Sequence, residues 1–185
     1  MYAITLHQPW ATFMAYGLKW CETRSWRPYR DVMPTLQKHG LLIHAASAFN
    51  KKMRAICYHP PYREALEHLE MTVEDLPTGA IVAMCKVIRV LPTYEVDEIS
   101  IADFSDSSFE YELGDYSPGR FFWVCREMQR PRQVIKASGF QKLWQFNLFE
   151  HEEAQNDSFW LPVNSEERSL PLVVPTPVPE QLKLL

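Results

Sequence analysis

Near its start the chain carries the stretch Gly17-Leu18-Lys19-Trp20-Cys21-Glu22-Thr23-Arg24, in which two cations flank one carboxylate. The stretch follows a short helical pattern and precedes an apolar run at residues 41–46. Burying a charged side chain costs free energy unless the charge is paired with an opposite charge or bound to a ligand. We therefore expect this stretch to lie at a site where its charges find partners, either in the protein or in a ligand.

The residues before the stretch predict a helix that ends at a glycine. Pro9 suits the first turn, where no amide donor is lost. Trp10, Phe13, Met14 and Gly17 recur at the spacing of one helical face. Gly17 fits the end of the helix, because glycine readily adopts the left-handed backbone conformation found there. Core packing is the expected role of this face.

Residues 19–26 are predicted to form a strand. Its period of two places Trp20, Glu22, Arg24 and Trp26 on one face. The other face carries Lys19, Cys21 and Thr23, unless a bulge turns Lys19 around.

Glu22 and Arg24 would then be neighbours on one face. The spacing alone favours a salt bridge that fixes the strand. The functional alternative is a carboxylate held ionised by Arg24, ready to accept a hydrogen bond from a base or to act in acid/base chemistry.

Length and composition predict one domain, or one domain with short additional segments. We expect no cofactor. The chain has 185 residues, of which 46% are hydrophobic and 13% aromatic. Cys21, Cys57, Cys85 and Cys125 show no metal-binding spacing, so we expect free thiols, a reducing cytoplasm and no metal. The sequence opens directly on a strand pattern and contains no apolar run of about 20 residues, which predicts neither a signal peptide nor a membrane span.

The charge is distributed unevenly along the chain, although the formal net charge is only −4. Residues 19–63 contain nine Lys or Arg against two Asp or Glu, a net +7. Residues 64–117 contain two against thirteen, a net −11. A basic and an acidic surface are therefore expected to coexist, with the charged stretch in the basic part. Solvated helix faces explain the acidic block, whereas for the basic block a solvated face and a binding surface remain equally open.

The remaining pattern predicts an α+β fold. Short strands are expected at residues 3–6, 41–46, 80–90, 120–128, 133–137 and 141–146, and helices at about 50–58 and 62–69. Residues 27–40 are expected to form a loop. Because strand follows strand in the second half, we expect a mixed, mostly antiparallel sheet that closes into a small β-barrel with helices packed on one side.

We predict one domain at residues 1–150 and a Pro-rich C-terminal extension at 151–185. An acidic insertion near residues 93–117, with a short helix at 96–101, is expected to form a long loop that extends from the domain.

The charged stretch resembles the signature of the ASCH domain, Gly-x-Lys-x-x-Glu-x-Arg, which is complete here as Gly17, Lys19, Glu22 and Arg24. Further similarities flank the signature: Leu6, Gln8, Pro9, Trp10 and Ala11 before it, and Gly40 and Ile43-His44-Ala45-Ala46 after it. Residues 78–82 and 141–144 are also similar to the family. The resemblance implies a PUA-like β-barrel with Lys19, Glu22 and Arg24 facing a cleft, in a group of barrels that bind RNA or modified bases.

The resemblance and the residue chemistry together predict a site for RNA, single-stranded nucleic acid or a modified nucleoside. An aromatic platform, a donor or acceptor for the base edge and cations for phosphate are what such a ligand needs. Glu22 would contact the base edge. Trp10, Trp20 or Trp26 would stack, and Lys19, Arg24 and Arg27 would hold phosphate. His44 joins the candidate ligand-binding residues, although a histidine ending a buried strand is more often a satisfied core residue.

A hydrolase is the alternative that the resemblance raises. Some compact members resemble amidohydrolases that deacetylate an acetylated cytidine with a Lys, a Thr and a Glu. Lys19 matches that Lys, but the Thr position is Glu22 here and Thr23 lies next to it. Lys19, with its pKa lowered by burial and by Arg24, would be the base or nucleophile, and Glu22 the proton carrier, acting on an acylated nucleoside or, as a nuclease, on a phosphodiester. A third hypothesis is a protein partner bound through the acidic loop or the Pro-rich tail.

Overall fold

The computed structural model describes residues 1–95 and 109–163. The predicted short helix at 96–101, the centre of the acidic insertion and the Pro-rich tail after residue 163 lie outside the described residues. No helix in the described ranges is both long enough and apolar enough to cross a membrane.

The described chain is built around one sheet of eight strands. They are β1 (Tyr2–Leu6), β2 (Cys21–Arg24), β3 (Leu41–Ala45), β4 (Ala80–Pro92), β5 (Phe121–Pro131), β6 (Ile135–Lys136), β7 (Leu143–Gln145) and β8 (Trp160–Pro162). The order is β2-β5-β4-β3-β1-β7, with β6 paired to β4 and β8 paired to β5. Only β1 and β3 pair in parallel; the other described pairs are antiparallel.

The sheet curls into a half-barrel, so the predicted α+β class with a mixed, mostly antiparallel sheet is confirmed. The described helices are α1 (Trp10–Ala15), α2 (Met33–Lys38), α3 (Lys51–Ile56), α4 (Tyr62–His68) and α5 (Glu110–Leu113). Leu41 and Ile43 of β3 point into one core together with Phe13 of α1 and Leu36 of α2. Leu42 points into a second core with Trp144 and Trp160. Helices therefore cover one face of the sheet, and the C-terminal strands and turns cover the other.

The predicted loop at residues 27–40 is wrong in its second half, which forms α2. Pro34 belongs to the first turn of this helix. Proline is tolerated in that turn because the first amides of a helix have no acceptor within it. Leu36 is completely buried, so packing on the sheet stabilises the helix. The prolines alone had favoured a loop.

The helix predicted from about residue 50 is confirmed as α3, and Asn50 is its N-cap. The Asn50 side chain accepts a hydrogen bond of 3.0 Å from the backbone N–H of Met53. All four cysteines are buried, with free thiols.

Residues 151–163, which the sequence assigned to an extension, pack against the sheet. Trp160 of β8 pairs with Pro131 of β5, and its indole N–H donates to the carbonyl of Ala154 at 2.9 Å. The first part of the predicted extension is therefore joined to the β-sheet.

Candidate functional site

The charged stretch begins at a tight exit from α1. Gly17 has φ +68°, in the left-handed region where a Cβ is unfavourable. A Cβ at this position would also lie 2.7 Å from the Val163 side chain. The next two amides, of Leu18 and Lys19, both donate to the carbonyl of Phe13. The chain is thereby turned directly from the helix towards β2.

Lys19 is completely buried and pairs with Glu110, a residue that sequence reasoning did not identify. The ammonium Nζ lies 3.2 Å from Glu110 Oε1, and the two side chains are 2% and 1% exposed. Burial disfavours the charge on Lys19, but Glu110 and then Glu22 outweigh it, so the pKa of Lys19 is raised. The lowered pKa expected for Lys19 is therefore wrong, because a buried carboxylate stabilises its charged form.

The Glu110 carboxylate is fully used within the protein. It accepts hydrogen bonds from Lys19, from the backbone N–H groups of Trp20 and Cys21, and from the Tyr116 hydroxyl at 2.9 Å. These donors fix the chain where it enters β2. Glu110 opens the short helix α5 within the acidic segment, and no spacing or motif separates it from the other carboxylates around it.

Glu22 and Arg24 form the second ion pair of the stretch, as expected. Arg24 Nε lies 2.8 Å from Glu22 Oε1, although the N–H is not directed well enough for a hydrogen bond. The Nη2 atom of Arg24 donates a hydrogen bond of 2.9 Å to the Thr5 carbonyl. Within the described residues the Glu22 carboxylate accepts no hydrogen bond, although the residue is only 8% exposed. The Glu22 carboxylate therefore has fewer hydrogen-bond donors than the Glu110 carboxylate.

Burial raises the pKa of Glu22, against the opposing effects of Arg24, Lys19 and Arg120. The carboxyl is thus easier to protonate than an ordinary glutamate. Its two forms offer different chemistry, since a carboxylate only accepts hydrogen bonds and a protonated carboxyl also donates one.

Both ion pairs border one cavity of about 310 Å³, which we call the site cavity. Its walls come from the stretch, from the first helices and from residues 113–120. The lining residues are Leu6, His7, Trp10, Lys19, Glu22, Thr23, Arg24, Met53, Tyr62, Leu113, Gly114, Asp115 and Arg120. The volume lies in the range of small-molecule sites, about 300–1,000 Å³.

The structure brings four of the predicted site residues together in this cavity: Trp10, Lys19, Glu22 and Arg24. Trp10 is held in place, because its indole N–H donates to the Leu113 carbonyl at 2.8 Å and its ring meets Tyr62 edge-on at 5.5 Å. Trp10 and Tyr62 give the cavity an aromatic wall.

Lys19 lines the same cavity as Glu22, the outcome that the prediction allowed only through a bulge. The strand begins only at Cys21, so Lys19 precedes it and its direction is set by Glu110. Thr23 also lines the site cavity, although strand alternation placed it opposite Glu22.

The other four predicted residues lie elsewhere. Trp20 bonds to the Gly17 carbonyl, Trp26 packs edge-on against Trp123, and Arg27 lies 5.0 Å from the Phe121 ring. His44 is buried, with Nε2 3.1 Å from the Ala137 carbonyl. Burial lowers the pKa of His44 despite that bond, so the neutral ring donates from Nε2.

Arg120 is a further cavity residue that the sequence did not single out. Its guanidinium donates to the Thr23 carbonyl at 3.0 Å and pairs with Asp115 at 3.2 Å. It directly precedes β5, and a position at the start of a strand does not by itself indicate a site. Within residues 1–95 and 109–163, no group of His, Cys, Asp or Glu side chains is placed to hold a metal ion.

The comparison with protein-family models agrees with the signature. The family model described as "ASCH domain" matches residues 4–136. Among solved structures, the chain is similar to "Crystal structure of ASCH from Zymomonas mobilis", at 12% identity and a TM-score of 0.46, over 82% of this chain and 90% of that one. No curated protein matches the sequence. The family match covers well over half of the chain and includes the whole signature, so this protein belongs to the ASCH domain family, which has a PUA-like fold and is generally associated with nucleic acids.

Proposed function

We propose that this protein binds single-stranded RNA or a modified nucleotide in the site cavity. The observation that carries the proposal is the incompletely bonded ion pair of Glu22 and Arg24 at the wall of an aromatic-lined cavity. Buried polar groups in native proteins are nearly always hydrogen-bonded, and exceptions often mark places where a ligand or water completes the bonding.

The cavity offers donors for a phosphate. Arg24 Nε and Arg120 Nε are both buried without a hydrogen-bond acceptor among the described residues, and both side chains line the cavity. The Lys19 ammonium has three N–H donors, of which Glu110 takes one. Guanidinium groups match phosphate oxygens in pairs, so Arg24 and Arg120 are the proposed phosphate ligands, with Lys19 behind them.

The cavity also offers partners for a base. Glu22 supplies a carboxyl with free bonding capacity, which suits an amino group on the edge of a base. Trp10 and Tyr62 supply aromatic faces beside it. Stacking on such rings contributes about 1–3 kcal/mol per base in single-strand binding. Of the predicted stacking residues, Trp10 is the one that the proposal retains.

The test is fluorescence anisotropy with a labelled single-stranded RNA of about ten nucleotides, within the range of single-strand site sizes. Glu22→Gln and Arg24→Gln are expected to weaken binding about tenfold or more, the loss of one or more charged hydrogen bonds. Glu67→Gln, which removes a carboxylate from the exposed pair with Arg63, is the matched control. Wild-type affinity in both cavity variants would overturn the proposal.

A hydrolase acting on an acylated nucleoside is the second candidate, favoured by one observation. Thr23 shares the cavity with Lys19 and Glu22, which assembles the residue types that the resemblance implies. The raised pKa of Lys19 opposes a role as base or nucleophile. Chromatography of acetylated cytidine after incubation tests the idea: conversion that Thr23→Val abolishes would support it, and no conversion by wild type would remove it.

A further inference from the structure

A second group of cations lines the surface near the start of β5, where Arg27 lies 5.0 Å from the Phe121 ring. Two hollows, of about 440 Å³ and 320 Å³, share Arg27 as a wall. Their cations are Arg27, Arg30, Arg89 and Lys142. We call these two hollows the arginine groove.

All charged side chains that the structure describes in the groove are cations. Among the described residues no Asp or Glu lines either hollow, although the whole chain carries a net charge of −4. Within the described part of the chain, none of the four cations forms an ion pair. Like charges held together without counter-charges repel one another, so an anionic ligand on this surface would relieve the repulsion.

Aromatic side chains lie among the cations. Tyr29 is 70% exposed, and Trp26 lies in the same hollow as Arg27 and Lys142. A positively charged groove interleaved with exposed rings is the arrangement by which proteins hold single strands, since the cations follow the phosphates and the rings stack on bases. An acidic peptide would use the cations but has no bases to place on Tyr29.

The groove adjoins the site cavity. Arg24 lines the cavity and Arg27, three residues later, lines the groove, so their Cα atoms are at most about 10 Å apart. Phe121 connects the two places, because it pairs with Arg24 across the sheet and its ring lies 5.0 Å from the Arg27 guanidinium. The groove is therefore within reach of a nucleic-acid strand whose phosphate is held at Arg24.

We propose that the arginine groove binds the backbone of the nucleotides that flank the one held in the site cavity. The proposal rests on the proposed function and makes the ligand a single strand of several nucleotides rather than a free nucleoside.

The test compares charge removal in the groove with charge removal elsewhere on the sheet. Arg30→Gln and Arg89→Gln each remove an exposed cation whose side chain forms no ion pair with the described residues. Lys136→Gln is the matched control, because Lys136 is also exposed but pairs with Ala80, at the opposite end of β4 from Arg89. All are titrated with the labelled RNA of about ten nucleotides at several salt concentrations.

Each groove variant is expected to bind the RNA about fivefold more weakly at about 0.1 M salt, the contribution of one single-strand phosphate contact. The slope of log affinity against log salt should fall by about 0.7 per variant. Lys136→Gln should match wild type. Groove variants that match wild type in affinity and slope would overturn the proposal.

A second probe separates this failure from that of the proposed function. Binding of the four ribonucleoside monophosphates, measured by calorimetry, should be unchanged by Arg30→Gln and Arg89→Gln but lost in Glu22→Gln. If Glu22→Gln alone weakens both probes, the cavity binds the ligand and the groove does not. If wild type binds a monophosphate but not the RNA, only the groove proposal is overturned; if it binds neither probe, both proposals are overturned.

Tyr29→Ala tests whether the groove takes a nucleic acid rather than any polyanion. Loss of one stacked base should weaken RNA binding by about fivefold or more. Polyglutamate at the same charge concentration should not displace the RNA. If Tyr29→Ala left the RNA affinity unchanged and polyglutamate displaced the RNA, the groove would be assigned to acidic peptides and the proposal overturned.

Discussion

Two ion pairs formed by neighbouring residues of the signature differ in how completely the protein satisfies them. Lys19 and Glu110 are sealed, with side chains 2% and 1% exposed and four donors on the one carboxylate. Glu22 and Arg24 are 11% and 26% exposed, and the Glu22 carboxylate accepts no hydrogen bond from the described residues. One pair has no bonding capacity left on its carboxylate, and the other retains capacity beside a cavity.

The difference separates two roles within one motif. A buried pair is strongly destabilised when one partner is removed, because the other is left charged and unpaired. A pair that water can partly reach loses less when one partner is removed, since water solvates the group that remains. We therefore assign Lys19 mainly to the architecture of the site, and Glu22 and Arg24 mainly to the ligand.

The largest expected effect is on the sealed pair. Glu110→Ala should lower the free energy of unfolding by about 3–5 kcal/mol, because Lys19 keeps a buried charge and two backbone N–H groups lose their acceptor. Urea unfolding followed by tryptophan fluorescence measures it. Glu67→Ala, in an exposed pair, should change the value by no more than about 0.5 kcal/mol. Equal effects of the two substitutions would show that the sealed pair is not a structural element.

A double variant sharpens the same point. Lys19→Met and Glu110→Gln should each destabilise the protein, but together they remove both buried charges. We expect the combined loss to be smaller than the sum of the single losses by about 1–3 kcal/mol. The same urea titrations measure the coupling. Strictly additive losses would mean that Lys19 and Glu110 act independently, in conflict with the 3.2 Å contact.

Breaking the pair of Glu22 and Arg24 should affect RNA binding more than stability. Arg24→Gln should lower the free energy of unfolding by only about 1 kcal/mol, since the side chain is partly exposed. The affinity for single-stranded RNA should fall about tenfold or more, equivalent to about 1.4 kcal/mol. Arg63→Gln, which breaks an exposed pair, is the control. A large loss of stability with unchanged affinity would assign Arg24 to the structure instead of the ligand.

The contrast also explains what the sequence could and could not predict. The pairing of Glu22 with Arg24 was predictable, because residues two apart in a strand share a face. The partner of Lys19 was not, because Glu110 lies 91 residues away in a segment rich in carboxylates. Only the fold decides which of many similar acids is buried next to Lys19.

The fold followed from local patterns where those patterns had a single meaning. The apolar run that forms β4 predicts one structure, and that strand is present. Pro34 has two meanings, a helix start or a loop, and packing of Leu36 on the sheet selects the helix. Trp26 and Arg27 were assigned to the site by their distance from the signature in sequence, whereas β2 ends at Arg24 and the chain then leaves the cavity.

The smallest expected effect is a difference in pH dependence. Burial raises the pKa of Glu22 above its ordinary value of 4.5. The folded protein therefore holds this proton more tightly than the unfolded chain does. The free energy of unfolding should fall as the pH rises from 4.5 through the raised pKa, with the loss complete above it.

Glu22→Gln has no proton to release, so wild type should lose stability relative to this variant over that range. Lys19 behaves differently, because its pKa is raised above 10.5 and its stabilising charge is lost only at still higher pH. Urea titrations of both proteins from pH 4.5 to neutral pH measure the effect. A constant difference in stability would mean that Glu22 is ionised throughout, and it would then meet a ligand only as a hydrogen-bond acceptor.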